Sequence, residues 1–223
     1  MGTLHIVATP IGNLGDITLR ALEVLDDVDL IASEDTRVTK KLLDAYKINT
    51  PLVSYHAHSK SNKTKGLLER LHDGNEIALV TDAGTPGIQD PAGELVNFAH
   101  QKGINVVSIP GPSALTATLS IAGIPADSFY FVGFLPKKKG RQTKFKHLAN
   151  IPDPVVIYES PYRVVRTLED IKNYLGDRVV IIGREITKKF EELLRNNVDG
   201  MIKHFNENPP KGEFVIIVMP NNE

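Results

Sequence analysis

The run Ile77-Ala78-Leu79-Val80 has no polar position on either side of an extended chain. A strand of that kind is stable only with both faces covered, which is the condition of an inner strand in a parallel sheet. Similar short, β-branched runs recur along the chain and alternate with helical spacing. Strands are predicted at Leu4 to Ala8, Asp29 to Ser33, Leu52 to Tyr55, Ile77 to Val80 and Asn105 to Ile109, then at Phe129 to Phe134, Val155 to Tyr158, Val179 to Ile182 and Phe214 to Val218. Helices are predicted between them at Ile17 to Leu25 (with Asp16 as N-cap), Thr36 to Tyr46, Ser59 to Leu71, Ser113 to Ala122, Tyr162 to Tyr174 and Val198 to Phe205, with one more after Pro91. Such alternation specifies an α/β fold with a largely parallel sheet. Pro110-Gly111-Pro112 is the strongest break in mid-chain and places a boundary there, giving two α/β domains of similar size, 1–112 and 113–223.

Three loops at predicted strand ends carry the functional signal. Thr9-Pro10-Ile11-Gly12-Asn13-Leu14-Gly15-Asp16 follows the first strand; it is neither G-x-G-x-x-G nor a phosphate-binding P-loop, and an ordinary tight turn is the plain alternative. Thr81 to Pro91 follows the most apolar strand. Its eleven residues exceed the two to six or so that a strand-to-helix connection needs. Glycines there permit close approach, and prolines fix the shape before a ligand arrives. In the third loop, Ile109-Pro110-Gly111-Pro112-Ser113-Ala114, Ser113 either caps a helix or leaves backbone amides facing a carboxylate. Ligands of α/β proteins bind at the carboxyl ends of strands, so the three loops read as one site.

Charge sets a second constraint. The net charge of -1 excludes nucleic-acid binding by an overall basic surface, so any such contact must be local. Lys137, Lys138, Lys139, Arg141, Lys144 and Lys146 lie within ten residues, and no Asp or Glu occurs between Asp127 and Asp153. This patch is the expected RNA contact, with Phe134 and Phe145 as nearby stacking faces or, alternatively, core residues. The chain has no cysteine, which excludes disulfides, thiolate metal sites and a cysteine nucleophile, and suits a reducing compartment. His56 and His58 have no further ligands near them in sequence, so no metal site is expected. The N-terminus lacks the pattern of a signal peptide, and no apolar run approaches the roughly 20 residues that span a bilayer. A soluble cytoplasmic protein without a membrane partner is expected.

The succession TPIGNLGDIT, SEDTR, TDAGTPGIQDP and IPGPSA closely resembles the tetrapyrrole methylase superfamily and, within it, the branch acting on small-subunit ribosomal RNA. The likeness continues through FVGFLP, YESPYR, REITKKFE and GEFV, and so spans nearly the whole chain; EDTR and DAGTPG are particular to that branch. The resemblance implies two α/β lobes of the tetrapyrrole methylase type with S-adenosyl-L-methionine in the cleft between them. It also implies methylation of the ribose 2′-hydroxyl of a decoding-centre cytidine in 16S rRNA, by a homodimer. The matching cofactor positions are Pro10, Ile11, Asp82, Ala83, Gly84, Thr85, Ile88, Pro112, Ser113, Ala114, Tyr158 and Glu159. Members of the family continue past the last strand into a small helical segment, whereas this sequence stops at Asn221-Asn222-Glu223; if that segment helps hold RNA, its absence bears on activity and not on cofactor binding.

Methyl transfer to a hydroxyl needs alignment of the two partners and help with the proton. Glu34, Asp35 and Arg37 follow one predicted strand, and Glu185 and Lys188 another. A carboxylate or a lysine of lowered pKa is a possible base, and salt bridges or helix caps are the alternatives, Asp35 before Thr36 being a natural N-cap. Two other functions fit parts of the sequence: a precorrin-type tetrapyrrole methyltransferase, against which EDTR argues, and a non-catalytic cofactor-binding factor of ribosome assembly. A nicotinamide oxidoreductase lacks its fingerprint glycines.

Overall fold

A computed structural model describes residues 1–56 and 61–221. The chain divides into two compact units, Met1–Ser113 and Ala114–Glu223.

The first unit contains β1 (Thr3–Val7), α1 (Leu19–Asp27), β2 (Leu30–Ser33), α2 (Thr36–Tyr46), β3 (Leu52–Ser54), α3 (Ser61–His72), β4 (Ile77–Val80), α4 (Ala92–Gln101) and β5 (Asn105–Ile109). Its sheet has the order β3-β2-β4-β1-β5, and every pairing is parallel. The apolar run of β4 is explained by its position. Ile77 and Leu79 pack with Leu67, Leu71, Leu95 and Ala99 of α3 and α4, whereas Ala78 and Val80 pack with Ala21, Leu25, Leu42 and Leu43 of α1 and α2. Helices thus cover both faces, and no register position of β4 meets water. The N-cap of α1 is Thr18, whose hydroxyl accepts the Ala21 amide at 3.1 Å, and not Asp16, which lies in a separate 3-10 turn at Leu14–Asp16. Ser59, placed at the start of the third helix from sequence, lies outside the described residues.

The second unit contains α5 (Ala114–Ile121), β6 (Tyr130–Phe134), α6 (Arg141–Leu148), β7 (Val155–Glu159), α7 (Val164–Leu175), β8 (Val179–Arg184), β9 (Glu192–Asn197), α8 (Val198–Glu207) and β10 (Phe214–Val218). Its sheet, β6-β7-β10-β8-β9, corrects the expectation of a largely parallel arrangement: only β6–β7 is parallel, and the three pairings of β7–β10, β10–β8 and β8–β9 are antiparallel. Strands β8 and β9 form a hairpin-like pair, which needs no crossover helix. One face of this sheet packs on α6, α7 and α8 through Phe145, Leu168, Ile171, Met201 and Phe205, the other on Leu119 and Ala122 at the end of α5.

Candidate functional site

The strand order of the first sheet directs attention to one edge. From β1 the chain passes to β2 on one side; from β4 it passes across β1 to β5 on the other. The loops after the adjacent strands β1 and β4 therefore diverge, and a crevice opens where the winding reverses, the usual ligand position in open parallel sheets. At this point Thr9 and Gly84 exchange both backbone hydrogen bonds, at 2.9 and 3.0 Å. Thr9 Oγ1 also donates to the Thr81 carbonyl (3.1 Å), Thr81 Oγ1 to Glu34 Oε2 (3.1 Å), the Asp35 amide to Asp82 Oδ1 (2.9 Å), and Thr85 Oγ1 to the Pro112 carbonyl (3.2 Å). Four strand-end loops, those after β1, β2, β4 and β5, are thus cross-linked into one rim.

Two glycines make that rim possible. Gly84 sits at φ +82°, where a side chain is strained, and a Cβ there would lie 3.4 Å from Ile11 Cγ2. At Gly111 a Cβ would come within 3.1 Å of Ala8 Cβ, so glycine lets the β5 loop lie against the end of β1 without crowding it. Within the long loop, Asp90 accepts from the amides of Gly87 (2.9 Å) and Ala92 (2.8 Å), bracing the turn and the start of α4 together. Asp82, Ala83 and Ile88 are exposed on the rim, and Ile11 is buried.

Glu34, Asp82 and Asp90 make no ion pair among the described residues, whereas Asp35 is paired with Arg37. The rim is therefore acidic. It repels phosphate and suits a cationic ligand with hydroxyl or ammonium donors. Burial raises the pKa of Glu34, Asp82 and Asp90 add to the rise, and the Thr81 hydrogen bond only partly opposes it. Asp35 behaves oppositely. Its hydrogen bonds from the Arg37 side chain and then from the Arg37 amide hold it at about 2, and it caps α2. It is a structural cap and too weak a base to take a proton near neutrality.

Four residues expected at the site are engaged by internal partners in the second unit. Lys188 Nζ lies between Glu185 Oε1 (2.9 Å) and Glu213 Oε2 (2.8 Å). Burial alone lowers its pKa, but the two carboxylates raise it overall, so it stays protonated and is no base. Glu185 is held ionised by the same lysine, against the effect of burial, and so is committed to this pair. Arg141 is not an RNA contact. It is buried, with Nε on Asp170 Oδ2 (2.7 Å), Nη1 on the Pro136 carbonyl (3.2 Å) and Nη2 on Thr167 Oγ1 (2.9 Å). Glu159 is equally internal: its Oε1 pairs with Arg163 (2.6 Å) and its Oε2 accepts from Thr167 (2.7 Å), leaving no carboxylate for a cofactor.

Other expected residues keep a place open to ligand. Lys137, Lys138 and Lys139 are exposed, and Lys144 bonds to the Tyr130 hydroxyl (3.2 Å) beside its ring. Phe145 is fully buried and stacks on Tyr174, so it is core, whereas Phe134 is half exposed. Tyr158 accepts from the Leu115 amide (3.0 Å), next to Ala114 at the start of α5, and Ser113 ends the first unit. His58 lies outside the described residues, and among the described residues no cluster of metal-ligating side chains occurs. No described helix is long and apolar enough to cross a membrane. Sequence reasoning placed Thr9, Thr81 and Asp90 in the functional loops but gave them no role; their hydrogen bonds, which knit the rim, appear only in the fold.

A model of the Tetrapyrrole (Corrin/Porphyrin) Methylases matches residues 3–201. The chain belongs to this family. Among similar proteins, "Ribosomal RNA small subunit methyltransferase I" of Synechocystis sp. is 48% identical over 98% of this chain and 79% of its own. The protein of the same name from Thermotoga maritima is 45% identical, with 98% of each chain covered. That from Escherichia coli O157:H7 is 48% identical over 97% of this chain and 77% of its own. Solved structures with this fold include diphthine synthase (TM-score 0.77, 15% identity, 98% of this chain and 90% of that one) and cobalt precorrin-4 methyltransferase (TM-score 0.71, 18% identity, 96% and 94%). At such identities the structures show the shared architecture of this methylase family and nothing of substrate.

Proposed function

We propose that this protein uses S-adenosyl-L-methionine to methylate the ribose 2′-hydroxyl of a decoding-centre cytidine in 16S rRNA of the small ribosomal subunit, as a cytoplasmic homodimer. The observation that carries the reading is the acidic, cross-linked rim at the reversal point of the first sheet, in a chain whose close relatives bear the name of a small-subunit rRNA methyltransferase.

The residues fit that cofactor. Pro10, Ile11, Asp82 to Thr85, Ile88, Pro112 and Ser113 all lie on the loops of this rim, and its uncompensated carboxylates favour a cation. The cofactor supplies a methyl group activated by its sulfonium charge. Asp82, beside the tight Thr9–Gly84 pairing, offers a carboxylate oxygen to ligand hydroxyl or ammonium groups. Glu34 accepts the proton released as the new carbon–oxygen bond forms; its raised pKa makes it a better base than an ordinary surface carboxylate. Arg37 stands at the same rim, where its pair with Asp35 offsets part of the negative charge. Lys137, Lys138, Lys139 and Lys144 supply further phosphate contacts.

The test uses small subunits from cells lacking the modification, incubated with the protein and labelled cofactor, followed by digestion and mass spectrometry of the nucleosides. The expected product is 2′-O-methylcytidine. Cofactor binding without a methylated nucleoside overturns the reading in favour of an assembly factor, and a methylated macrocycle from a tetrapyrrole substrate overturns it in favour of the corrin branch. With the expected product in hand, Glu34→Gln slows single-turnover transfer by about 10²- to 10⁴-fold while the cofactor Kd is kept.

A further inference from the structure

Strands β6 and β7 run parallel, with Phe134 opposite Tyr158 at their ends. Two loops leave from there, one carrying Lys137 to Lys139, the other Ser160 to Arg163. They are fixed to each other from inside. Arg163 Nη1 donates to the Leu135 carbonyl (3.1 Å) while its Nη2 pairs with Glu159 Oε1, which also accepts the Ser160 amide (2.8 Å). Arg141 holds the neighbouring Pro136 carbonyl (3.2 Å). On this rigid frame two aromatic rings face outward. Phe134 is 52% exposed and meets Tyr158 edge-on, and Tyr162 is 96% exposed. Tyr162 in particular adds little to the core, and its loop is tied to the one that carries three exposed lysines, which make no ion pair among the described residues.

We infer that Phe134 and Tyr162 form a stacking platform for unpaired RNA bases, with Lys137 to Lys139 holding the adjoining phosphates. The inference rests on the RNA reading above and adds the residues that meet bases. Aromatic faces beside uncompensated cations match single-stranded nucleic acid, whose bases stack on any π-face while its phosphates seek positive charge. A protein partner would leave the lysines uncompensated unless it were acidic. Arg141, Arg163 and Glu159 act here as positioning residues, since they hold the two loops and touch no ligand.

The chain has no tryptophan, so Tyr162→Trp introduces a single tryptophan at the platform, which can be excited apart from the tyrosines. Titration with unstructured oligouridine is expected to quench it. Tyr162→Ala is expected to weaken oligouridine binding by about tenfold with the salt slope unchanged, Tyr162→Phe to keep the parent affinity, and replacement of Lys137 to Lys139 by alanine to reduce the slope by about 2. Tyr162 is almost wholly exposed, so these variants leave folding intact. If the parent binds oligouridine but the tryptophan is not quenched and Tyr162→Ala binds equally well, the platform is overturned while the RNA reading stands. If the parent shows no salt-dependent binding of RNA, oligouridine or small subunit, the RNA reading itself fails. If the tryptophan signal follows protein concentration and not RNA, the face is a contact between copies, and the platform is again overturned.

Discussion

The two units face the same mechanical problem, holding long loops still at the ends of strands, and use different forces. In the first unit the rim is backbone work: the Thr9–Gly84 pairing, the close approach at Gly111 and short hydroxyl links carry it. In the second unit the loops hang from buried charge, through Glu159–Arg163 and Arg141–Asp170, with Thr167 bonded to both Glu159 and Arg141. The difference follows from the ligand each loop set is proposed to meet. A rim that must admit a cofactor against its backbone cannot fill that space with side chains. Loops that present lysines and rings outward are free to be tied from behind.

The sharpest way to break this comparison is to remove a buried charge. Glu159→Ala leaves Arg163 without its carboxylate and Thr167 without its acceptor. Loss of one member of a buried ion pair generally costs about 3–5 kcal/mol, and that loss is expected in urea unfolding followed by circular dichroism. Glu159→Gln keeps one acceptor oxygen and the side-chain volume but loses the charge and the second acceptor, and is expected to fall between parent and alanine variant. A loss under about 1 kcal/mol in Glu159→Ala, the size of an exposed pair, would mean that packing alone holds these loops.

The corresponding change in the first unit acts on backbone. At Gly84 an alanine Cβ meets Ile11 at ordinary contact distance, so its cost is that of forcing φ +82° on a residue with a side chain, about 1 kcal/mol. Gly84→Val adds a branched Cβ, for a total of about 1–3 kcal/mol, and it narrows the rim. Calorimetric titration with S-adenosyl-L-methionine is expected to show the cofactor Kd raised by about tenfold or more for valine and less for alanine. Unchanged affinity in the valine variant would remove the Thr81 to Pro91 loop from the cofactor site.

The same contrast explains what could be read from the sequence. The interior of the first unit was legible because its signal is hydrophobic: the β4 run and the α2 pattern coincide with the observed Ile77–Val80 and Thr36–Tyr46. The three loops stood out because glycine and proline mark backbone demands directly. In the second unit charge concealed structure. Along α6 the inward positions are Arg141, Phe145 and Leu148, a helical stripe whose first member is a guanidinium, so the segment reads as a basic surface. Buried Glu159 misleads in the same way, because its partners Arg163 and Thr167 become visible only when α7 is in place. Strand β9 has the sequence ELLRNN and lies at the sheet edge with mostly exposed positions, so it has no alternating pattern to find; only its pairing with β8 defines it. The basic run drew attention to Phe134 and Phe145 together, but only the structure separates the outward Phe134 from the buried Phe145, and Tyr162 carried no signal, because an aromatic residue alone does not tell core from surface.

The smallest expected effect tests whether charge matters on the first unit's rim as it does inside the second. Asp35 and Arg37 are paired at 2.6 Å, but the arginine side chain is 86% exposed, and water screens such a pair. The carboxyl still titrates at about 2, first because of its hydrogen bond from the Arg37 side chain and then from the Arg37 amide. A folded-state pKa below the ordinary aspartate value contributes stability that is fully present above that ordinary value and is lost as pH falls through the folded one. The loss therefore falls between about pH 4 and pH 2, and the first turn of α2, which Asp35 caps, loosens in that window. Arg37→Ala removes the leading cause but keeps the backbone bond, so the Asp35 titration followed by NMR is expected to move up part of the way to the ordinary value, with little change in Tm at neutral pH. A Tm loss in Arg37→Ala comparable with that in Glu159→Ala would show that both units rely on ion pairs and would dissolve the contrast between them. A titration left at about 2 would instead assign the low value wholly to the helix cap, which is a backbone effect and the force that governs the rest of this rim.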